Sequence, residues 1–303
     1  MYLLLAMLSV LIPTYNTNVL SLVENIHRQC LEAGHDFEIM VADDASTDQD
    51  VTEANQGIDQ LTHCRLLRHE RNLGRTATRD FLAKQAQFDW LLFLDADVMP
   101  KYPDFIKRFS LTQSQDSPIV FGGVAYRKEK PELQQILRWK YGSDREAKNV
   151  KERNKSPHFI ISQNLLIKKD TFFEVNLVSE NVYGLDNVVS YFIYKNGITV
   201  AHIDNPVYHL GLENTKTFIK KSIQSLETSL QFHREGNFPE DFRPVQKLYL
   251  KLKKWGLLGI FKGFIGAFEK RIEKNLYSNN PNLRWFDLYR LYHYTLLKEK
   301  LNA

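Results

Sequence analysis

Two aspartates separated by one residue, Asp95 and Asp97, carry the strongest chemical signal in the sequence. They follow Trp90–Leu94, an apolar run that is typical of a central parallel strand buried on both faces. In an extended chain, residues i and i+2 project to the same side, so both carboxylates can face one ion. Hard oxygen ligands favour Mg²⁺ or Mn²⁺, which also bind diphosphate oxygens. The pair therefore predicts a divalent-metal site, and the structural alternative is a solvated turn or a helix cap.

A second acidic pair, Asp43 and Asp44, directly follows the predicted strand Phe37–Ala42. Adjacent like charges repel one another unless a ligand, a hydrogen-bond donor or a metal offsets them. This pattern favours a ligand-binding role. The structural alternative is local capping, because the residues from Ser46 to Asp48 are ordinary helix caps.

The predicted first strand, Leu8–Ile12, ends in Pro13–Asn16, which offers an aromatic ring and amide groups to a base or a ribose. Open α/β sheets bind ligands at the carboxyl ends of their strands. Three polar groups are therefore expected on one edge of one sheet.

Short apolar runs alternate with stretches of helical period over the first two hundred residues, which predicts β-α-β units around a mostly parallel sheet. Gly34 is the expected stop of the first helix. The segment 126–157, dense in Lys, Arg and Glu, is expected to be a mobile loop. The predicted strands are 8–12, 37–42, 64–68, 90–94, 119–121, 159–161, 164–167 and 199–203, and the predicted helices are 19–33 and 75–86.

The composition excludes several classes of protein. Hydrophobic residues make up 43% of the 303 and charged residues 25%, which rules out wholesale disorder and collagen-like repeats. Cys30 and Cys64 form no Cys-x-x-Cys pair, which argues against a disulfide framework and a cysteine-built zinc site and favours a reducing compartment. The apolar opening Met1–Ile12 stops at Pro13, short of the roughly 20 residues of a spanning helix. It has neither a basic n-region nor a small-residue cleavage site, so we do not expect a secretory signal. We expect a buried strand there.

Four stretches of the chain resemble the glycosyltransferase family 2 enzymes in their order and spacing. They are Ser9–Asn16, Glu38–Asp48, Arg71–Asp80 and Leu92–Asp97, and the resemblance covers roughly the first 210 residues. It implies an α/β fold of the GT-A type, with a Rossmann-like, mostly parallel sheet flanked by helices. We expect a catalytic domain over residues 1–212 and a helical C-terminal region over 213–303. The implied enzyme is a metal-dependent, inverting hexosyltransferase that uses a nucleotide-diphospho-sugar.

The resemblance also implies roles for matching positions. A divalent metal, Mn²⁺ or Mg²⁺, is the implied cofactor. Asp43 or Asp44 is expected to accept the N3–H of a uracil-type base, and Arg75 is expected near the diphosphate. Asp95 is expected to face the ribose and the metal, and Asp97 to bind the metal directly. The remaining residues expected to line the donor pocket are Pro13, Thr14, Tyr15, Asn16 and Ala96.

The catalytic base is the point where the chain departs from the family pattern. Family members carry Glu-Asp before a helix, whereas this chain has Tyr183-Gly-Leu-Asp-Asn187. Asp186 is the remaining carboxylate and the candidate base. Its structural alternative is to cap the helix that follows, in which case Glu180 is the nearest substitute.

A histidine in a later segment is a candidate for the metal shell. His202–Glu213 resembles the segment that closes this fold in related bacterial enzymes, and His209 is placed to complete the metal site beside Asp95 and Asp97. The structural alternative is an ordinary hydrogen-bonded histidine.

The C-terminal region is basic and amphipathic. Residues 241–303 contain 13 Lys and Arg against 5 Asp and Glu, and 247–272 shows apolar residues at helical spacing. This pattern predicts either an interfacial helix on an anionic membrane or a helix that packs on the catalytic domain. The apolar residues of the stripe are Leu248, Leu252, Trp255, Leu258, Phe261, Ile265, Phe268 and Ile272.

The sequence thus predicts transfer of a sugar from a nucleotide-diphospho-sugar to a glycan or lipid-linked acceptor, in cell-surface polysaccharide synthesis. A UDP-sugar is the expected donor. No nucleic-acid partner is expected, because no nucleic-acid module is recognisable. The expected location is cytoplasmic, either free or peripherally attached to the inner face of the plasma membrane. The alternatives are a nucleotidyltransferase, against which the absence of glycine from Pro13–Asn16 counts, and a catalytically impaired binding protein of the same fold.

Overall fold

The computed structural model describes residues 7–34, 36–110, 117–176 and 183–302. The strands are β1 Met7–Thr14, β2 Asp36–Asp43, β3 Cys64–Arg68, β4 Trp90–Leu94, β5 Val98–Pro100, β6 Ile119–Phe121, β7 Val124–Ala125, β8 Asn164–Lys168, β9 Val200–His202 and β10 Val207–His209. The α-helices are α1 Leu20–Ala33, α2 Gln49–Asn55, α3 Arg75–Gln85, α4 Phe105–Ser110, α5 Ile136–Tyr141, α6 Val150–Arg153, α7 Lys169–Val175, α8 Leu185–Lys195, α9 Thr215–Arg234, α10 Pro244–Lys254, α11 Leu258–Leu276 and α12 Leu283–Asn302.

The chain divides into two compact units. The first comprises the described parts of Met1–Tyr126, Ala147–Asn181 and Phe192–Gly211 and contains every strand described. The second comprises Arg127–Glu146, the described part of Val182–Tyr191, and Leu212–Ala303 without its last residue.

The first unit is built on a seven-stranded sheet in the order β3-β2-β1-β4-β8-β6-β9. Strands β1 to β4 pair in parallel, and β8 runs antiparallel to both of its neighbours. A second sheet has the order β5-β10-β7. The prediction of a mostly parallel α/β sheet flanked by helices is confirmed.

Local sequence accounts for the first β-α-β unit. The middle of β1 is fully buried, and α1 places Val23 and Ile26 on the face that packs against the same core. Gly34 ends α1 in the left-handed conformation (φ +69°), and its N–H bonds to the carbonyl of Cys30. Glycine adopts this conformation without a side-chain clash, as the sequence predicted.

Two predictions about the first two hundred residues are wrong. Residues 159–161 are irregular rather than a strand, because a short apolar run cannot be assigned by period alone. The segment 126–157 contains α5 and α6 rather than one loop, and two of its cations are buried. Arg138 pairs with Glu146 at 3.0 Å, and Arg153 donates to the carbonyl of Ile203 at 2.8 Å.

In the second unit, α9 to α12 pack around apolar clusters. The predicted continuous helix over 247–272 is two helices, because Gly256 takes φ +68° between α10 and α11. Ile265 and Ile272 of the predicted stripe are buried against Phe286 and its neighbours. No helix in the described part of the chain is both long enough and apolar enough to span a bilayer.

Candidate active site

The carboxyl ends of β1, β2 and β4 lie side by side. Thr14 at the end of β1 pairs with Asp43 at the end of β2, and Leu11 pairs with Phe93 of β4. This parallel register brings the three polar groups singled out in the sequence to one edge of the first unit's sheet.

Asn16 joins the loops after β1 and β2. Its backbone adopts φ +47°, and its side-chain Oδ1 accepts the N–H groups of Thr47 at 2.8 Å and Asp48 at 3.1 Å. Its own N–H donates to Ser46 Oγ at 2.8 Å. Beside it Tyr15 is exposed, while Pro13 and Thr14 are buried. The two loops are thus held together, and the tyrosine ring faces solvent at this edge.

The adjacent acids Asp43 and Asp44 are both buried, and each has its own donors. Asp43 accepts the N–H of Ser46 at 2.9 Å and pairs with Arg68 Nε at 3.4 Å. The Asp44 carboxylate accepts two successive backbone N–H groups, Leu73 at 2.7 Å and Gly74 at 2.8 Å. These donors offset the repulsion between the two charges. The Asp44 bonds also anchor the backbone at the start of α3, on which Arg75 is the first residue.

Asp95 is held by two arginines of α3. Arg75 Nη2 lies 2.9 and 2.7 Å from its carboxylate oxygens, and Arg79 Nη2 lies 2.6 Å from Oδ1. Burial raises the pKa of Asp95, but the positive charges of Arg75 and Arg79 outweigh that effect and hold the pKa below its ordinary value. The carboxylate is therefore ionised, with both oxygens engaged.

Arg79 and Ser162 also lie at the site, although neither was predicted as a site residue. Ser162 accepts from Arg75 through its hydroxyl at 3.0 Å and from Arg79 through its carbonyl at 2.6 Å. The spacing of Arg75 and Arg79 was an available signal, because residues four apart share one helix face. Ser162 lies in irregular chain and carried no comparable signal.

Asp97 and His209 meet although 112 positions separate them. Strand β10 pairs antiparallel with β5, with His209 opposite Val98, and His209 Nε2 lies 3.1 Å from Asp97 Oδ2. The Asp97 side chain is 37% exposed, whereas that of His209 is 6% exposed. Tyr126 Oη lies 3.1 Å from His209 Nδ1, so the tyrosine orients the imidazole toward the carboxylate. No pattern in the sequence indicated Tyr126.

Gly211 gives Asp97 the space it occupies. A methyl group at position 211 would lie 2.0 Å from Asp97 Oδ2 and 2.7 Å from its Cβ, well inside van der Waals contact. A backbone hydrogen bond also joins the two segments, because the N–H of Leu210 donates to the Asp97 carbonyl at 2.8 Å. Only glycine fits at position 211 without displacing the aspartate.

Asp97 and His209 fit a cation site in which the protein supplies two ligands and phosphate or water supplies the others. Within the described ranges, no group of three or more His, Cys, Asp and Glu residues converges closely enough to hold an ion. Asp97 and His209 offer one carboxylate oxygen and one imidazole nitrogen, side by side and accessible through the aspartate. Mg²⁺ and Mn²⁺ sites commonly combine one or two protein ligands with phosphate oxygens and water. The residues present fit such a site.

Asp186 lies in the second unit, as the second residue of α8. Gly184 precedes the helix at φ +96°, and a methyl group there would lie 2.4 Å from Ser225 Oγ of α9. Asn187 Nδ2 donates to the same oxygen at 3.0 Å. The start of α8 is therefore held against α9, with Asp186 in its first turn. Glu180, the predicted substitute, lies outside the described residues.

The mostly parallel sheet flanked by helices is a fold of the GT-A class, and the polar groups described above lie at one edge of that sheet. The family model for glycosyl transferase family 2 matches residues 9–174, more than half of the chain. The chain belongs to glycosyl transferase family 2.

Individual relatives agree with this assignment. An uncharacterized glycosyltransferase of Haemophilus influenzae is 33% identical over 93 residues, which are 30% of this chain and 29% of that protein. The structure of the mannosyltransferase PcManGT from Pyrobaculum calidifontis, in complex with GDP-Man and Mn²⁺, superposes with a TM-score of 0.60 at 16% identity, covering 97% of this chain and 86% of the other. S. aureus TarS in complex with UDP-GlcNAc superposes with a TM-score of 0.50 at 16% identity, covering 97% and 91%. At this identity the superpositions show a shared fold.

Proposed function

We propose that this protein transfers a sugar from a nucleotide-diphospho-sugar, a UDP-sugar in the first instance, to a hydroxyl of a glycan or lipid-linked acceptor. The observation that carries the proposal is the Asp97–His209 pair beside the Asp95–Arg75 pair, on the ligand-binding edge of a GT-A sheet. The nucleotide-sugars in the two structural relatives support the same class of donor.

The donor nucleotide is expected to lie across the loops after β1 and β2. Tyr15 offers an exposed ring, and Asp43 or Asp44 supplies the acceptor for the N3–H of the base. Arg75 is the candidate for contact with the diphosphate, because its side chain is 45% exposed whereas that of Arg79 is 11% exposed. The more buried Arg79 would not contact the donor itself. It would hold the Asp95 carboxylate in place near the ribose.

Asp97 and His209 are the candidate protein ligands of Mn²⁺ or Mg²⁺, and Asp95 lies toward the same ion. When bound, the cation would neutralise the charge that grows on the leaving nucleoside diphosphate. Tyr126 would keep His209 Nε2 aimed at the ion through the bond to Nδ1.

We assign the proton transfer to Asp186. The acceptor hydroxyl attacks the anomeric carbon, its proton passes to the Asp186 carboxylate, and the electron pair of the breaking carbon–oxygen bond leaves with the diphosphate. One direct displacement inverts the anomeric centre. A positioned base of this kind contributes roughly 10²–10⁴-fold to the rate.

The proposed location is the cytoplasmic side of the plasma membrane, in cell-surface polysaccharide synthesis. Cys30 and Cys64 are both free and buried, which suits a reducing compartment.

The test is a panel of nucleotide-sugars scored for nucleoside diphosphate release and for transfer, with Mn²⁺ and with chelator. Asp97→Ala should lose turnover together with the response to metal, because one of two protein ligands is gone. Asp186→Asn should keep donor affinity and lose transfer by roughly 10²–10⁴-fold. Asp170→Asn is the matched control, since Asp170 also lies in the first turn of a helix, α7, and no catalytic role is assigned to it.

Transfer by Asp186→Asn at the wild-type rate would remove Asp186 from the mechanism. Donor binding without turnover across the panel would favour the catalytically impaired binding protein. Pyrophosphate release from a nucleoside triphosphate and a sugar phosphate would favour the nucleotidyltransferase.

A further inference from the structure

A set of exposed apolar side chains lies at and just after the junction of α10 and α11 in the second unit. Its members are Trp255, Leu257, Ile260, Phe264 and Phe268, exposed by 58%, 37%, 71%, 62% and 41%. We name these five residues the α10–α11 face. Large side chains exposed together in this way mark an interaction site rather than ordinary surface.

The geometry of the two helices explains why this face is outward. Ile265 and Ile272 of α11 are buried in the unit's core, so Ile260, Phe264 and Phe268, spaced four apart, lie on a different side of the helix. The rings of Phe264 and Phe268 contact each other, with centroids 5.0 Å apart. Ile265 and Ile272 of the predicted stripe are therefore turned inward, whereas Trp255 and Phe268 of the same stripe are exposed. Ile260 and Phe264, which the predicted stripe did not include, are exposed with them.

Cations border the α10–α11 face at both ends. Lys251, Lys253 and Lys254 are exposed at the end of α10, and Lys251 Nζ lies 4.6 Å from the centroid of the Trp255 ring. At the far end the exposed cations are Lys270, Arg271 and Lys274.

The acids of the same helices are turned away from this surface. Glu269 and Glu273 are the only acids of residues 244–276. Glu273 accepts the hydroxyl of Tyr289 at 2.8 Å, and Glu269 lies 3.7 Å from His293. The face therefore combines aromatic and aliphatic side chains with positive charge, and both acids of α10 and α11 contact α12 instead.

We propose that the α10–α11 face docks on the surface of an anionic phospholipid bilayer. Trp255 and the two phenylalanines would enter the headgroup region, and the bordering lysines would contact lipid phosphates. A second copy of the chain fits less well, because a two-fold contact through this face would bring lysines against lysines. The proposal is independent of the sugar-transfer chemistry.

The experiment is flotation of the full chain with lipid vesicles, without any sugar nucleotide. Vesicles of phosphatidylcholine with phosphatidylglycerol should bind the protein, and pure phosphatidylcholine vesicles should bind it about tenfold less or weaker. Raising the salt concentration should weaken the binding. Ile260→Asp with Phe264→Asp should lower the vesicle partition coefficient by at least about tenfold. Leu133→Asp is the matched control, because Leu133 is 58% exposed and lies outside the face.

A second measurement starts from the unaltered protein and adds one conservative variant, so misfolding of the double aspartate variant cannot decide the outcome. Brominated lipid should quench the fluorescence of the wild-type chain, and Trp255→Phe should remove most of that quenching while the other three tryptophans remain. Nucleotide release from soluble donor should be unchanged in all these variants, which separates failure here from failure of the proposed function.

Three results would overturn the proposal. One is equal binding to anionic and neutral vesicles, and another is wild-type flotation by the double aspartate variant. The third is a wild-type dimer that ignores vesicles and that the same double variant converts to a monomer.

Discussion

Replacing Gly211 with alanine tests whether the site depends on the close approach of this residue to Asp97. The added methyl carbon would lie 2.0 Å from Asp97 Oδ2, and ordinary van der Waals contact begins at 3.4 Å. The carboxylate must therefore move by about 1.4 Å, the difference between these two distances. Rotation of the side chain cannot relieve the overlap, because Asp97 Cβ itself lies only 2.7 Å away.

The free-energy cost follows from the contacts that are lost. Moving Asp97 removes its bond to His209, and a hydrogen bond to a charged group contributes about 1.5–3 kcal/mol. A side chain forced away from its rotamer costs about 0.5–1.5 kcal/mol more. We expect Gly211→Ala to lower the free energy of unfolding by about 2–4 kcal/mol. We also expect metal-dependent nucleotide release to fall by roughly 10–100-fold, as when a metal ligand loses its orientation.

Urea unfolding followed by circular dichroism, and nucleotide release with and without Mn²⁺, measure the two effects. Gly263→Ala is the control, since nothing lies within 4 Å of a methyl group there and Gly263 is in the interior of α11. That control should be as stable as wild type, or more stable by up to about 1 kcal/mol. A Gly211→Ala protein with the wild-type unfolding midpoint and release rate would refute the steric argument.

Two further variants test the polar contacts around the site. Asp95→Asn should flatten the loss of stability below about pH 4. The pKa of Asp95 is lowered by its arginines once the burial effect is overcome, so the unfolded chain takes up the proton first and stability falls as pH decreases. Urea midpoints between pH 3 and 6 measure this, and identical slopes in wild type and variant would contradict it. Tyr126→Phe should weaken Mn²⁺ affinity by about 10–100-fold at constant UDP, because the hydroxyl that orients His209 is gone. Titration calorimetry measures the affinity, Tyr102→Phe serves as the control tyrosine, and an unchanged constant would speak against an orienting role.

Local patterns predicted the elements of the first unit well where the signal was periodic or marked by a stop residue. Strand β4 begins and ends where the apolar run does, and α1 ends at the residue before Gly34. Charge density misled the prediction in 126–157, because the burial of Arg138 and Arg153 depends on partners that only the folded chain supplies. Glu146 lies 8 positions from Arg138, and Ile203 lies 50 positions from Arg153. A charged residue has the same local appearance whether it faces solvent or a buried carbonyl.

The sequence by itself determined that Asp43, Asp44, Asp95 and Asp97 fall at strand ends, since the apolar period places those ends and parallel strands share an edge. Tertiary structure alone decided which side chains complete the site. His209 reaches Asp97 through the β5–β10 pairing, and Gly211 makes room for the carboxylate. The same holds for α11, where apolar residues lie on two sides of one helix and only packing against the core selects which row is buried. The period of apolar residues describes one helix or strand at a time. Contacts between elements depend on which residues far apart in the sequence meet in the folded chain.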